Sequence, residues 1–144
     1  MGLKLINNYD KKSSDFLFSV RNKKYVRVNS ITTNYIKIRD HENWIKKFIK
    51  KKNNRIFIIS YKKLRVGYIR LESKKLYYWV SWALLKNFKN KKIMSKSLKK
   101  VTNKKKIKFR ALIKLNNYAS IKVALNADFN LKNKKNNSLI FQKN

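Results

Sequence analysis

Residues 115–129 read LNNYASIKVALNADF, fifteen positions with one lysine in a chain that carries 39 lysines and arginines. Asn117 stands where a side-chain oxygen satisfies a free amide of a helix's first turn. Small residues follow it, then apolar residues at helical spacing. A lone acid, Asp128, precedes an aromatic at the far end. The spacing predicts a capped helix over Leu115 to Phe129. A slim helix of this kind either packs on a sheet as an ordinary amphipathic element or leaves one side bare for a ligand. The thinning of lysine on the side that should be exposed favours the second.

The whole chain has 144 residues, the size of one domain. It has no cysteine and one histidine, His41, which excludes a disulfide framework, a thiolate metal site and a histidine-rich metal site. No metal is expected, and a reducing, cytoplasmic setting is the simplest inference. No apolar run approaches the roughly 18 to 20 residues of a membrane helix. The first residues, MGLKLINNYDKK, lack the apolar core of a signal peptide, and Ile6 stands where a myristoylation motif needs Ser or Thr. The formal charge is +33, with only six acids. Lys, Asn, Ile, Phe and Tyr, whose codons are rich in A and T, make up more than half of the chain. An AT-rich genome explains much of that bias, but not the shortage of Asp and Glu. A field of this sign concentrates polyanions, whether RNA, a nucleotide-sugar or a phosphorylated cofactor, without choosing among them.

Strand and helix patterns alternate along the chain without a repeat or a linker. Leu3 to Ile6 alternate as a short strand, and 15–20 and 40–51 have helical character. In the second of these Trp44, Ile45, Phe48 and Ile49 share one face, and Asp40 is the expected cap. RIFIIS (55–60), LRVGYIRL (64–71) and LYYWVSWALL (76–85) are β-branched and aromatic runs joined by links too short for crossovers, which predicts hairpins. A helix over 91–101, a strand over 106–115, the helix quoted first and a final strand over 137–143 complete the order. This is an α/β chain with a mixed sheet and helices on its faces.

The element order and several residues resemble the GNAT superfamily of N-acetyltransferases, over roughly residue 15 to the end. Asn117, Ala119, Ser120, Ile121, Ala127 and Phe129 fit its N-x-A-S-I-x-x-x-x-x-A-G-F signature, with Asp128 where glycine is usual, which implies a helix end of positive φ that Asp tolerates better than most residues. Upstream, VRNKKYVRVNS and HENW are similar to the branch that acetylates nucleotide-linked amino sugars, as in pseudaminic acid synthesis. Arg21, Asn22, Arg27, Ser30, His41 and Trp44 fit, and Val20 replaces a Trp. Gly67 matches a glycine of the third strand. The resemblance implies a single domain over 1–144, a GNAT-like, mostly antiparallel sheet with helices on both faces, and acetyl-CoA as acyl donor. The acceptor it implies is a small amine or a nucleotide-linked sugar, bound through Arg21, Asn22, Arg27 and His41.

The family's cofactor cradle, [QR]-x-x-G-x-[GA] at a helix start, aligns with KNKKIM, 89–94. Both glycines are replaced, by Lys92 and Met94, so either Lys89, Lys91 and Lys92 supply by charge what bare backbone supplies in the family, with Ile93 beside them, or the cradle is degraded to a solvated basic turn. Ser81, Trp82 and Ala83 are expected to pair through their backbone with the pantetheine like an added strand, in a groove where the sheet splays beside 80–84. Their side chains read equally as ordinary core of a central strand. Ser120 is expected to face the thiol end as a cofactor-binding and catalytic residue, and the capping Asn117 to contact the cofactor beside it. The family's tyrosine acid, four residues after that serine, is Ala124 here, so Tyr118 is the nearest candidate acid and Glu72 the candidate base. A missing acid need not end activity in enzymes that work by holding amine and thioester together.

Two functions from different classes remain. One is an acetyl-CoA-dependent N-acetyltransferase. The other is a non-catalytic protein of the same fold that binds RNA or a ribonucleoprotein through its basic surface. RNA binding by stacking would interleave aromatics with the basic tracts, whereas most aromatics here lie inside the strand patterns.

Overall fold

The computed structural model describes residues 1–144 as one α/β unit built on a seven-stranded sheet. Gly2–Leu5 form β1, and Asp10 caps α1, Lys11–Arg21, by accepting from the Ser13 N–H at 2.8 Å. A short helix α2, Lys24–Arg27, follows, and α3 spans Ile38–Lys50. Asp40 does not cap α3. Lys37 holds that position without a side-chain bond, and Asp40 sits in the first turn, where its charge meets the positive end of the helix dipole.

The expected hairpins form as β2 (Arg55–Tyr61), β3 (Leu64–Ser73) and β4 (Tyr78–Leu84). A single 3₁₀ turn, 86–88, leads to α4, Ile93–Val101, and then to β5, Phe109–Lys114. The quoted stretch forms α5, Tyr118–Asn126, shorter than expected at both ends. Two strands close the chain where one was expected: β6, Asn130–Lys135, and β7, Ser138–Lys143. NLKNKK carries no strand pattern because β6 is an edge strand exposed along its whole length, and its pairing comes from β7.

The strand order is β1-β2-β3-β4-β5-β7-β6, antiparallel throughout except at β4–β5. Helices cover both faces. Leu17 and Val20 of α1 and Ile45 and Phe48 of α3 pack on Ile56 and Ile58. Leu98 and Val101 of α4 and Ala124 of α5 pack on Ile59, Ile69 and Phe109 from the other side. The alternation of Ile58 and Ile59 between two cores is the period-two pattern of a strand buried on both faces. A register shift at Ile59/Ser60 opposite Val66 adds a bulge next to Gly67. No helix is long and apolar enough to cross a membrane.

Gly67 fixes β4 against β3. A Cβ built there would lie 2.4 Å from the Ala83 carbonyl oxygen, closer than any side chain tolerates. Gly67→Ala is expected to destabilise the fold by about 1–3 kcal/mol through overpacking, read as a lower urea midpoint. An unchanged midpoint would mean that β4 shifts away freely.

Candidate functional site

β4 and β5 are held together at only two register pairs, Tyr78 with Phe109 and Trp79 with Arg110. Beyond Trp79 the strands part, and the edge of β4 that faces β5 has no strand partner from Val80 to Leu84. Two adjoining cavities fill the opening. The first, about 290 Å³, lies between the end of β4, the start of α4 and the first turns of α5, with Trp82, Phe88, Lys92, Met94 and Val123 on its walls. The second, about 420 Å³, reaches under α1 and α2, with Arg21, Arg27, Tyr68, Arg70, Ser81 and Ile113 on its walls. Val26, Asn29, Ser30, Trp82, Asn117 and Ser120 border both.

The first cavity ends at an uncapped helix. Lys92, at the N-cap of α4, takes a left-handed conformation with φ 58°, as does Asn90 with φ 66°, and no side chain caps the helix. The first backbone bond back to the cap comes from the Lys96 N–H at 3.1 Å. The amides of Ile93, Met94 and Ser95 therefore have no helical partner, and all three residues line the cavity. Free amides at the positive end of a helix form an anion site. The chain thus keeps the backbone conformation that glycine would favour while carrying lysine in its place. Lys89 joins the same wall, with its ammonium 5.1 Å from the centre of the Tyr25 ring. Lys91 is exposed and lines neither cavity.

Asn117 caps α5 by accepting from the Ser120 N–H at 3.2 Å, which orients the first turn toward the junction of the two cavities. Asp128, in the glycine position after α5, has the expected positive φ of 70°. On β4, Ala83 lines the first cavity, Ser81 the second and Trp82 both. Two expected proton-handling groups lie elsewhere. Tyr118 is the first residue of α5, 77% exposed, and lines neither cavity, because its position on the helix points it away from the sheet. Glu72 lies at the far end of β3 opposite Trp79, where the strands are still paired, and its carboxylate meets Lys74 at 3.4 Å.

The upstream residues divide into ligand-facing and supporting groups. Arg21 and Arg27 line the second cavity. Asn22 and His41 do not. The Asn22 side chain donates to the Ile36 carbonyl and accepts from the Ile36 N–H, both at 2.8 Å, and so ties down the loop before α3. His41 is fully buried. Its Nδ1 accepts from Arg21 Nη1 at 2.9 Å, which leaves the proton on Nε2, 2.9 Å from the Ser14 carbonyl and 3.1 Å from Ser14 Oγ. Burial, and then the Arg21 charge, hold His41 below its ordinary value. Arg21 in turn lies 4.2 Å from the centre of the Trp44 ring. His41 is a positioning residue that aims Arg21. Among the cavity residues that the sequence reading does not single out are Arg70, Tyr68 and Tyr25. A charged residue in the middle of a central strand was the available signal for Arg70.

No protein-family model and no curated protein matches the sequence. Solved structures do match in shape. A domain from Methanocaldococcus jannaschii superposes with a TM-score of 0.80 at 19% identity, over 99% of this chain and 98% of the other. A GNAT-family acetyltransferase from Bacillus anthracis gives 0.78 at 14%, over 99% and 95%. The N-acetyltransferase PseH from Campylobacter jejuni, solved with acetyl coenzyme A, gives 0.70 at 14%, over 99% and 98%. The fold is the GNAT fold. The likeness is one of shape over nearly the whole of each chain, at sequence identities of 14% to 19%.

The buried His41 carries a pH signature. Its folded pKa is depressed, so between that value and the ordinary imidazole value near 6.5 the unfolded chain binds the extra proton, and stability falls as pH drops below about 6.5. The melting temperature is expected to fall on acidification through this range, and His41→Gln, which keeps an acceptor for Arg21 and a donor for Ser14, is expected to flatten that part of the profile. An identical profile in the variant would remove His41 as its origin.

Proposed function

We propose that the chain is an acetyl-CoA-dependent N-acetyltransferase acting on a primary amine, with a nucleotide-linked amino sugar as the acceptor class. The observation that carries this is the split between β4 and β5, which leaves a bare strand edge leading to an uncapped helix N-terminus. A pantetheine arm fits the bare edge at Trp82 to Leu84 as an added strand. A pyrophosphate fits the amides of Ile93, Met94 and Ser95, with Lys89 and Lys92 adding charge. When bound, acetyl-CoA supplies an activated thioester acyl group. The chain's own part is to hold the amine from the second cavity against that group and to keep bulk water out, with Asn117 and Ser120 at the junction. No carboxylate or imidazole lines either cavity, so protons leave through hydroxyls and water, and positioning carries most of the rate. The amino-sugar acceptor is supported by Arg21 and Arg27 in the second cavity and by the likeness to PseH.

Two measurements test this reading against the alternative of a non-catalytic RNA-binding protein. Acetyl-CoA is expected to raise the melting temperature, by the linkage that stabilises any protein binding its ligand in the folded state. The affinity is expected to fall with added salt, because the side-chain charges that add to the backbone contacts are screened over about 8 Å at physiological salt. Lys92→Gly keeps the left-handed backbone and removes one charge, so it is expected to weaken binding and flatten the salt dependence. Unchanged or tighter binding would show that close backbone approach matters more than charge. No shift with acetyl-CoA, together with tight RNA binding, would favour the alternative.

Tyr118→Phe is expected to leave the rate of acetyl transfer to an amino-sugar nucleotide within about twofold, since an exposed side chain outside both cavities handles no proton of the reaction. A loss of roughly 100-fold would return Tyr118 to the proton path.

A further inference from the structure

Arg21, Arg27 and Arg70 all line the second cavity, and no acidic residue does. The chain's six acids are placed elsewhere. Asp10 caps α1, Asp15 pairs with Lys11, Glu72 with Lys74 and Asp128 with Lys99. Glu42 accepts from Ser14, and Asp40 is exposed on α3. The three guanidiniums therefore have no counter-charge in the chain.

They are nonetheless held in place, by neutral groups. Arg21 donates to His41, and Arg27 donates from Nε to the Asn22 carbonyl at 3.1 Å. Arg70 makes no side-chain hydrogen bond. It lies 5.3 Å from the centre of the Trp44 ring, the same indole that Arg21 stacks on. Two like charges against one ring repel each other; burial lowers the pKa of Arg21 most, Tyr68 raises it in part, and the charge of Arg70 lowers it again. Neighbouring cations in a cavity without an acid are unfavourable unless an anion joins them. Planar guanidinium forks match the paired oxygens of a phosphoryl or carboxylate group.

We propose that Arg21, Arg27 and Arg70 form an oxyanion subsite for the acceptor, so that the amine acetylated belongs to a molecule that itself carries a phosphoryl or carboxylate group. This rests on the acyl-transfer function proposed above. Arg70 is the specificity-determining residue that the upstream motifs do not contain. It projects from the centre of β3, on the same face as Tyr68, where the strand is fixed on both sides. Polycationic amines are disfavoured by the same wall.

Acetyl transfer from saturating acetyl-CoA, at constant ionic strength, is compared for glucosamine 6-phosphate against glucosamine and for alanine against alaninamide. The anionic member of at least one pair is expected to show a kcat/KM higher by roughly tenfold or more, the scale of one charge-assisted contact. The pair that shows the difference tells a phosphoryl from a carboxylate source. Arg70→Gln is expected to erase the difference and Arg70→Lys to keep part of it, whereas Lys105→Gln, which removes an exposed charge outside both cavities, leaves it intact. Equal kcat/KM within both pairs, or a preference untouched by Arg70→Gln, overturns the proposal. Arg27→Gln serves as the second variant should Arg70→Gln melt early. If acetyl-CoA binds but none of these amines is acetylated, calorimetric binding of inorganic pyrophosphate to the acetyl-CoA complex decides instead: binding lost in Arg70→Gln supports the subsite, and no difference overturns it. If acetyl-CoA itself does not bind, the acyl-transfer function fails separately. Pyrophosphate binding to the free protein, compared in Arg70→Gln and Lys92→Gly, still decides which cavity takes the anion.

Discussion

Two register pairs between β4 and β5 set the geometry of everything that follows. β4 cannot swing back to close the gap, because on its other side it is paired with β3 along its whole length and pressed against Gly67 without room for a methyl group. Pairing energy is given up between Val80 and Leu84, and a strand edge is left with unspent donors and acceptors. In a sheet buried on both faces such an edge is costly unless something polar meets it. The chain between β4 and β5 turns this gap into a site. The single 3₁₀ turn after β4 delivers the start of α4 to the mouth of the opening, and α5 closes its other wall.

The hydrophobic periodicities made most of the fold legible. The hairpins β2–β3–β4, the amphipathic face of α3 and the capped α5 all follow from side-chain spacing that local physics enforces. β6 was not legible, since an exposed edge strand of Asn and Lys has no buried face to write a pattern. The start of α3 was misplaced by three residues because Asp is favoured both at a cap and in the first turn, and nothing local separates the two. Asn117 announces its cap by residue type, whereas Asp128 and the turn before α4, where lysine stands in place of glycine, were reached through the family resemblance. The proton-handling groups were not, because Tyr118 and Glu72 were chosen for their chemistry, while their positions depend on which way a helix start and a strand end point.

The wall of arginines illustrates how a chain with a large excess of positive charge can still build a specific site. Most of its lysines end in solvent, where their charges are screened. Arg21 is different: its guanidinium is aimed by a buried neutral imidazole, which is itself fixed by Ser14 on the neighbouring helix. The supporting groups, His41 and Asn22, touch no cavity, yet they define where the cationic groups stand. Arg21 and Arg27 are set apart from the surface lysines by fixed neutral supports and not by charge alone.

The turns carry a further consequence. Only two glycines occur, neither has a positive φ, and eight other residues do. The link between β2 and β3 is a two-residue loop in which both Lys62 and Lys63 have positive φ, the signs required by a type I′ turn and usually met by Asn-Gly. Two adjacent lysines resist that conformation by about 1–2 kcal/mol each and repel one another. The loop therefore offers no local preference that would bring its strands together early. The central hairpin must instead be imposed by the apolar side chains of β2 and β3, which makes assembly of the sheet a cooperative event led by its interior and not by its corners.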